Sequence, residues 1–354
     1  MKVAIAGGGW YGCHIASALK SQGVEVALFE KNDRLFSEAS GNNQFRLHQG
    51  LHYARSSITR HQSRDGYHRF VERYPRLSQS VSQNIYLVPK GNSLIDFETY
   101  FSIMLASGIS VERVPVSIVE GLDASKFEGA VRCDERVVLT DKARDHFGGR
   151  LNGSAHLGVR VETLKESTGA VHVNGEHFDY FVDATWGALA APSAAMYYEP
   201  TLLLYYRCRA NSTKSASNGA AERFPAVTLV DGPLWSIYPT GRDHQFTLSS
   251  VTHTPLGRCA SKAEAYALLA GIDDDVVQRK RALMEAEVMP YLPAFRDMFE
   301  YVGPQFAVKT KPVGMTDNRA CGVAFDGRKV SVQSGKIDNI FFATDRILGA
   351  LLSD

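Results

Sequence analysis

The 354-residue sequence holds no apolar run near the roughly 20 residues that a bilayer-spanning helix needs, which excludes a membrane-spanning chain. It has only five cysteines, Cys13, Cys133, Cys208, Cys259 and Cys321, and no two stand in a CxxC pair. Zinc ribbons, dithiol chemistry and a disulfide scaffold are therefore unsupported, and the scattered thiols fit a reduced cytoplasmic setting. Charge of one sign is also lacking: the formal net charge is +1, so no global basic field points to nucleic acid and no acidic excess points to disorder. No internal repeat is visible. The first strand-like run begins at residue 2 or 3, so no cleavable leader is expected. What remains is an ordinary composition, 44% hydrophobic and 22% charged, in a chain long enough for about two domains.

Function is carried by local motifs. Val3–Gly7 opens as a short apolar run suited to a buried parallel strand. Gly7-Gly8-Gly9-Trp10-Tyr11-Gly12 contains the spacing G-x-G-x-x-G, and a helical pattern through Ile15, Ala16 and Leu19 follows. A second strand pattern, Val24 to Glu30, ends on an acid. The order has a physical logic. Gly7 permits the tight turn, Gly9 lets a pyrophosphate approach the backbone, and Gly12 lets helix and strand pack closely. The helix N-terminus offers free N–H groups and a positive dipole end to phosphates. Glu30 suits ribose hydroxyls and disfavours a 2′-phosphate. Spacing alone leaves FAD and NAD open.

Downstream, Ser40-Gly41-Asn42-Asn43 is followed by His48-Gln49-Gly50-Leu51-His52-Tyr53. This stretch resembles the D-amino-acid oxidase-like FAD-dependent oxidoreductase superfamily, closest to its 2-hydroxyglutarate oxidase and glycerol-3-phosphate dehydrogenase branches. Those proteins carry Ser-Gly-x-Asn and then His-x-Gly-x-x-Tyr at this distance from the glycine turn. Phe181–Gly187 resembles the family strand that closes over the cofactor. Leu234–Gly241 resembles part of the substrate-domain sheet, and Asn339–Thr344 the last strand of the cofactor domain. Asp345-Arg346-Ile347 stands where the family has Gly-x-Gly. Asp345 there reads as a helix N-cap, and its carboxylate would lie near the flavin C2 carbonyl with Arg346 opposing it.

The resemblance implies an α/β fold: a Rossmann-like FAD-binding domain from 1–75, 136–195 and 305–354, with an inserted α+β substrate domain on an antiparallel sheet from 76–135 and 196–304. It implies FAD contacts from Gly7, Gly9, Trp10, Tyr11, Gly12, Glu30, Lys31, Ser40, Gly41, Asn43, Gln44, Val161, Ala184, Thr185, Gly187, Asp345, Arg346 and Ile347, and no metal. It further implies hydride transfer from a CH–OH or CH–NH bond to the flavin. A flavin-binding tailoring protein without redox turnover is the alternative that Asp345 motivates.

Along the rest of the chain, residues 59–77 read as a helix, 84–89 and 110–118 as strands with a helix between them near Ile95–Ser107, and 136–148 as a strand leading into a helix. Val159–Leu164, Ala170–Val173 and His177–Asp183 read as a meander. Residues 201–210, 226–238 and 245–253 read as an antiparallel sheet, Asn211–Ala221 as a loop, and Ser261–Phe299 as largely helical with Asp273–Asp275 at an N-terminus.

From Arg46 to Arg76 the chain carries seven arginines and four histidines against two acids. Arg60, Arg64, Arg69, Arg73 and Arg76 read as a solvated helix face. Arg46, His52, Tyr53 and Arg55 fall in the segment expected beside the flavin and are candidates to bind an anionic substrate, since Arg holds carboxylate or phosphate bidentately. His48 is the candidate general base, because oxidation at a carbon bearing OH or NH₃⁺ requires loss of a heteroatom proton. Tyr238 is a second catalytic candidate. Lys309 and Lys311 stand where many family members anchor substrate, and strand alternation is expected to turn only one of them inward.

Overall fold

The computed structural model describes residues 1–189, 196–209, 224–314, 319–333 and 335–352; the expected loop Asn211–Ala221 lies outside them. The apolar N-terminal run forms strand Lys2–Ala6 and pairs in parallel with Glu25–Glu30 on one side and Tyr180–Asp183 on the other. The full sheet runs Gly322–Asp326, Lys329–Gln333, Tyr180–Asp183, Lys2–Ala6, Glu25–Glu30, Ala155–Leu157, parallel except for its first member. One face buries Val3, Ile5 and Val182 against helices Trp10–Ser21, Ser57–Arg73, Thr140–Arg150 and Ile340–Leu351, through Ile15, Leu19, Phe70, Phe147 and Ile347. The other face buries Ala4, Ala27 and Phe29 against the antiparallel meander Leu164–Ser167, Ala170–Val173, Glu176–Phe178. A parallel sheet so covered on both faces is what unbroken apolar strands require.

The second large sheet has eight strands in the order Phe299–Pro312, Met196–Cys208, Gln245–Ser250, Trp235–Pro239, Ala226–Leu229, Asn84–Pro89, Phe127–Cys133, Glu112–Val114. It is antiparallel except where Asn84–Pro89 runs beside Ala226–Leu229. Helix Asp274–Val288 covers one region through Met284 and Val288, and Phe97–Ala106 covers another through Tyr100 and Met104. Asp273 caps the first of these by accepting from the Val276 N–H at 2.9 Å. A small sheet, Arg46–Leu47 with Arg136–Val138 and Ser78–Ser80, joins the two parts.

The structure corrects several expectations. Asn339–Thr344 is not a strand. The last strand of the cofactor sheet is Lys329–Gln333, and Ile340–Leu351 is a helix preceded by a 3₁₀ turn at Ile337–Asn339. Buried Ile340, Phe341, Ala343, Thr344, Ile347 and Leu351 repeat at helical, not strand, spacing. Asp345 therefore sits within the helix and caps nothing. Val159–Leu164 is not a strand either; Ala155–Leu157 takes the sheet edge and Leu164–Ser167 begins the meander. Residues 110–118 hold only the strand Glu112–Val114, because Pro115 starts a 3₁₀ turn.

Candidate active site

The glycine turn is closed to side chains. Gly7 has φ +104°, and a Cβ there would lie 2.8 Å from the Ala184 carbonyl oxygen. A Cβ on Gly9 would meet Ser40 Oγ at 2.5 Å, and one on Gly12 would overlap the Gly7 carbonyl. The first helical N–H, that of Trp10, donates to Ser40 Oγ at 3.2 Å. Gly41 belongs to the same turn, its N–H donating to the Glu38 carbonyl at 2.9 Å. Glu30 is buried at the end of its strand, accepting from the Gly8 N–H at 2.6 Å and from Asn32 at 2.7 and 2.9 Å. Lys31 pairs with Glu38 at 2.6 Å.

From this turn a cleft of about 510 Å³ runs toward the eight-stranded sheet. Gly9, Trp10, Tyr11, Ser40, Asn43, Gln44 and Ala184 line its nucleotide end, and Arg46, His48, Tyr53, Lys309, Lys311 and Lys336 its far end. Asn43 shapes the wall rather than reaching inward: its Nδ2 donates to the Ala39 and Ser40 carbonyls at 3.0 Å each, and its Oδ1 accepts from the Phe45 N–H. Gln44 bridges to the other sheet by donating to Ser236 Oγ and Ser249 Oγ, each at 2.8 Å. Thr185 and Gly187 follow the strand Tyr180–Asp183, with the Thr185 N–H held by Asp183 at 2.8 Å. Gly187, φ +79°, offers its carbonyl to the Tyr198 hydroxyl.

Arg46 is 3% exposed and anchors the far end. Its guanidinium lies 3.9 Å from the centre of the Tyr238 ring, and Nη1 donates to His52 Nε2 at 3.0 Å and to the Tyr86 hydroxyl at 3.1 Å. Its Nε and Nη2 have no acceptor among the described residues. Behind it, Tyr86 donates to buried Glu135 at 2.6 Å, and the Tyr86 hydroxyl lies 2.8 Å from His52 Nδ1. That chain of donors fixes His52 as the Nδ1–H tautomer. His48, His52 and Glu135 are close enough to suggest metal ligation, their ligand atoms lying within 4.8 Å of one another. The Arg46 guanidinium on His52 Nε2 places a fixed positive charge there and occupies the lone pair a metal would use.

Burial, then Lys336 and Arg46, hold the His48 imidazole well below its usual pKa, so it is neutral near pH 7. Burial and Lys311 lower Lys309 to about 8. Burial lowers Lys336 to about 8 as well, with Asp338 pulling the other way. Lys311 pairs with Glu199 at 2.6 Å, whereas Lys309 has no ion pair among the described residues. Both lysines line the cleft, against the expectation that only one would. Residues i and i+2 of a strand share a face, so alternation places 309 and 311 together.

Other expected residues stand elsewhere. Tyr238 is fully buried beneath Arg46 and its hydroxyl donates to the Arg136 carbonyl at 3.2 Å. His52 lies behind Arg46. Arg55 faces away from the cleft and pairs with Asp231. Asp345 is exposed and pairs with Arg69 at 2.5 Å, Arg346 is exposed, and Ile347 is core. None of these three lines the cleft, because the helix cap is Asn339, six residues earlier than expected. Val161 is buried on the meander face beside Ala4 and Ala6. Arg60 is not solvated: it is 7% exposed and donates to the Tyr53 and Ala54 carbonyls at 2.7 and 2.8 Å, fixing the loop that carries Tyr53.

Sequence reasoning missed Trp186, Met196, Gly335 and Lys336, all on the cleft wall. The alternation Lys329-Val330-Ser331-Val332-Gln333 followed by Gly335 was the available signal for the true last strand. Trp186 has φ +57° and crowds Gly335, where a Cβ would lie 2.6 Å from the indole.

The glycine cradle, the helix N-terminus behind it and the length of the cleft fit FAD, whose pyrophosphate Gly9 and Trp10 would hold and whose ring would reach toward His48, Lys309 and Lys336. Comparison with known proteins agrees. Residues 2–344 match the family described as FAD dependent oxidoreductase. A FAD-dependent monooxygenase, FPY4 of Fusarium mangiferae, is 51% identical over 98% of this chain and 90% of its own length. FAD-dependent monooxygenase kojA of Aspergillus flavus is 26% identical over 98% of this chain and 85% of its own. Among solved structures, L-alpha-glycerophosphate oxidase from Mycoplasma pneumoniae superposes with TM-score 0.73 at 12% identity, covering 99% of this chain and 94% of that one. Glycine oxidase from Geobacillus kaustophilus gives 0.65 at 18%, covering 99% and 93%.

Proposed function

The chain belongs to the FAD-dependent oxidoreductase family and is a FAD-dependent enzyme; from that premise we propose that it oxidises a CH–OH or CH–NH bond of a small anionic substrate. Arg46 carries this reading. A buried guanidinium on the cleft wall keeps two of its nitrogens, Nε and Nη2, without an acceptor among the described residues, and such a group is costly unless an anion meets it. Tyr238 below and Tyr86 behind fix its plane, so a carboxylate or phosphate would be held in one orientation. Lys309 adds a second positive charge from the facing sheet. Bound FAD supplies the redox chemistry by taking two electrons from the substrate carbon. His48, kept neutral by burial and its cationic neighbours, is able to receive the heteroatom proton. Tyr53, set by Arg60, and Trp186 close the walls and limit water.

Anaerobic mixing of the purified flavoprotein with hydroxy acids, amino acids and sugar or polyol phosphates tests the reading through loss of flavin absorbance. Arg46→Ala should still hold FAD while binding an anionic substrate on the order of 2–5 kcal/mol more weakly. A neutral or cationic best substrate, or an unchanged Arg46→Ala, would sink it.

The name of the 51% identical relative supports a second reading, in which an oxygen atom is delivered to the substrate. Under that reading a reduced nicotinamide supplies the two electrons, one oxygen atom of O₂ enters the product as ¹⁸O label while the other leaves as water, and substrate alone leaves the flavin oxidised without oxygen.

A further inference from the structure

Helix Lys262–Ala270 comes from the stretch assigned to the substrate domain and packs through Ala265 on Tyr198 and Val308 of the eight-stranded sheet, yet two of its side chains reach the cofactor domain. Ser261 caps it by accepting from the Glu264 N–H at 3.1 Å. The two side chains are those of Lys262 and Tyr266, four residues apart and so on one side of the helix. Lys262 Nζ donates to the Thr185 carbonyl at 2.8 Å. Thr185 directly follows Ala184, whose carbonyl oxygen borders Gly7. The Tyr266 hydroxyl donates to Glu38, and Lys31 sits 4.9 Å above the Tyr266 ring while pairing with Glu38. Lys31 follows Glu30, so the helix brackets the strand end where the ribose-binding acid stands.

The Lys262 ammonium has three donors, and one is engaged among the described residues. It is partly buried and has no ion pair among them. The carboxylates around it have other donors: Glu30 holds Gly8 and Asn32, Asp183 holds Thr185, and Glu38 holds Lys31 and Tyr266. Burial lowers its pKa, against the pull of Glu38, Asp183 and Glu30, none of which forms an ion pair with it. The ammonium thus stands one residue from Ala184, the residue that borders the glycine turn, with donors to spare for a diphosphate oxygen.

We propose that helix Lys262–Ala270 is a second holder of the ADP half of FAD, with Lys262 supplying a positive charge from outside the cofactor sheet. FAD then ties the helix to the glycine turn, and its affinity depends on ionic strength through a residue that no nucleotide motif contains.

The test is titration of the apoprotein with FAD, ADP and riboflavin. Lys262→Gln keeps a donor for Thr185 and removes the charge. It should weaken FAD and ADP by a common factor of about tenfold or more, the scale of one hydrogen bond to a charged group. Riboflavin affinity should be unchanged, and the salt dependence of ADP binding should become shallower. Lys262→Arg should retain ADP affinity within about threefold of the parent. Unchanged FAD and ADP affinity in Lys262→Gln overturns the proposal. So does an equal loss for riboflavin and ADP, which would make the lysine a strut for Thr185. If the Gln variant fails to fold, Lys262→Met is titrated in its place and judged by the same outcomes.

Discussion

His48 and Lys309 face the same cleft, but titration affects them in opposite ways. Replacing His48 by Ala should slow flavin reduction by about 10²–10⁴-fold with FAD content unchanged; stopped-flow reduction of the purified variant measures this. Its folded pKa lies well below 6.5, so the base form persists through neutrality and its loss appears only as pH falls into the acid range. Lys309 is charged below about 8 and neutral above. The KM for an anionic substrate should therefore rise as pH passes about 8 while kcat changes less, and Lys309→Met should shrink that limb in a KM-against-pH profile, Lys336 accounting for what remains. The direction distinguishes the two: the histidine loses function downward in pH, the lysine upward.

The turn between Lys2–Ala6 and Trp10–Ser21 tolerates no bulk. Gly9→Val places a branched side chain against Ser40, where a diphosphate must pass, and should yield a folded protein without bound flavin, read by absorbance of the purified variant. The C-terminal helix makes the contrary case. Asp345 pairs with Arg69 at the surface, so Asp345→Ala should shift the thermal midpoint by an amount worth about 0–1 kcal/mol and leave flavin content intact. These two elements also show what was legible in the sequence. The glycine turn, its flanking strands and the His48–Tyr53 segment were readable because backbone sterics dictate residue type position by position. The last strand was misplaced because Ile340-Phe341-Phe342-Ala343 satisfies apolar-run and helical patterns alike, and only tertiary packing against Phe70 and Ile15 decides. Arg60 was misread for a related reason: its acceptors, the Tyr53 and Ala54 carbonyls, become visible only when the loop folds back on the helix. Lys262 could not be found at all, since its partner Thr185 is 77 residues away.

Across the whole molecule the cleft is a joint between two sheets, crossed by side chains such as Gln44 to Ser236 and Ser249, Lys262 to Thr185, Tyr198 to the Gly187 carbonyl, and Thr310 to the Trp186 carbonyl at 2.8 Å. The central strand Lys2–Ala6 has Glu25–Glu30 available as soon as both emerge, but its other neighbour is Tyr180–Asp183, and the next strand out, Lys329–Gln333, arrives near the end of the chain. During synthesis at about 5–20 residues per second, the first strand thus waits on the order of ten seconds or more for a complete sheet. Through that interval Val3, Ile5 and Val182 lack the helix Ile340–Leu351 that finally covers them. The glycine turn is made first and the Lys309–Lys336 wall of the cofactor cleft last, so flavin capture waits for that wall, and the oldest strand stays partly uncovered until then.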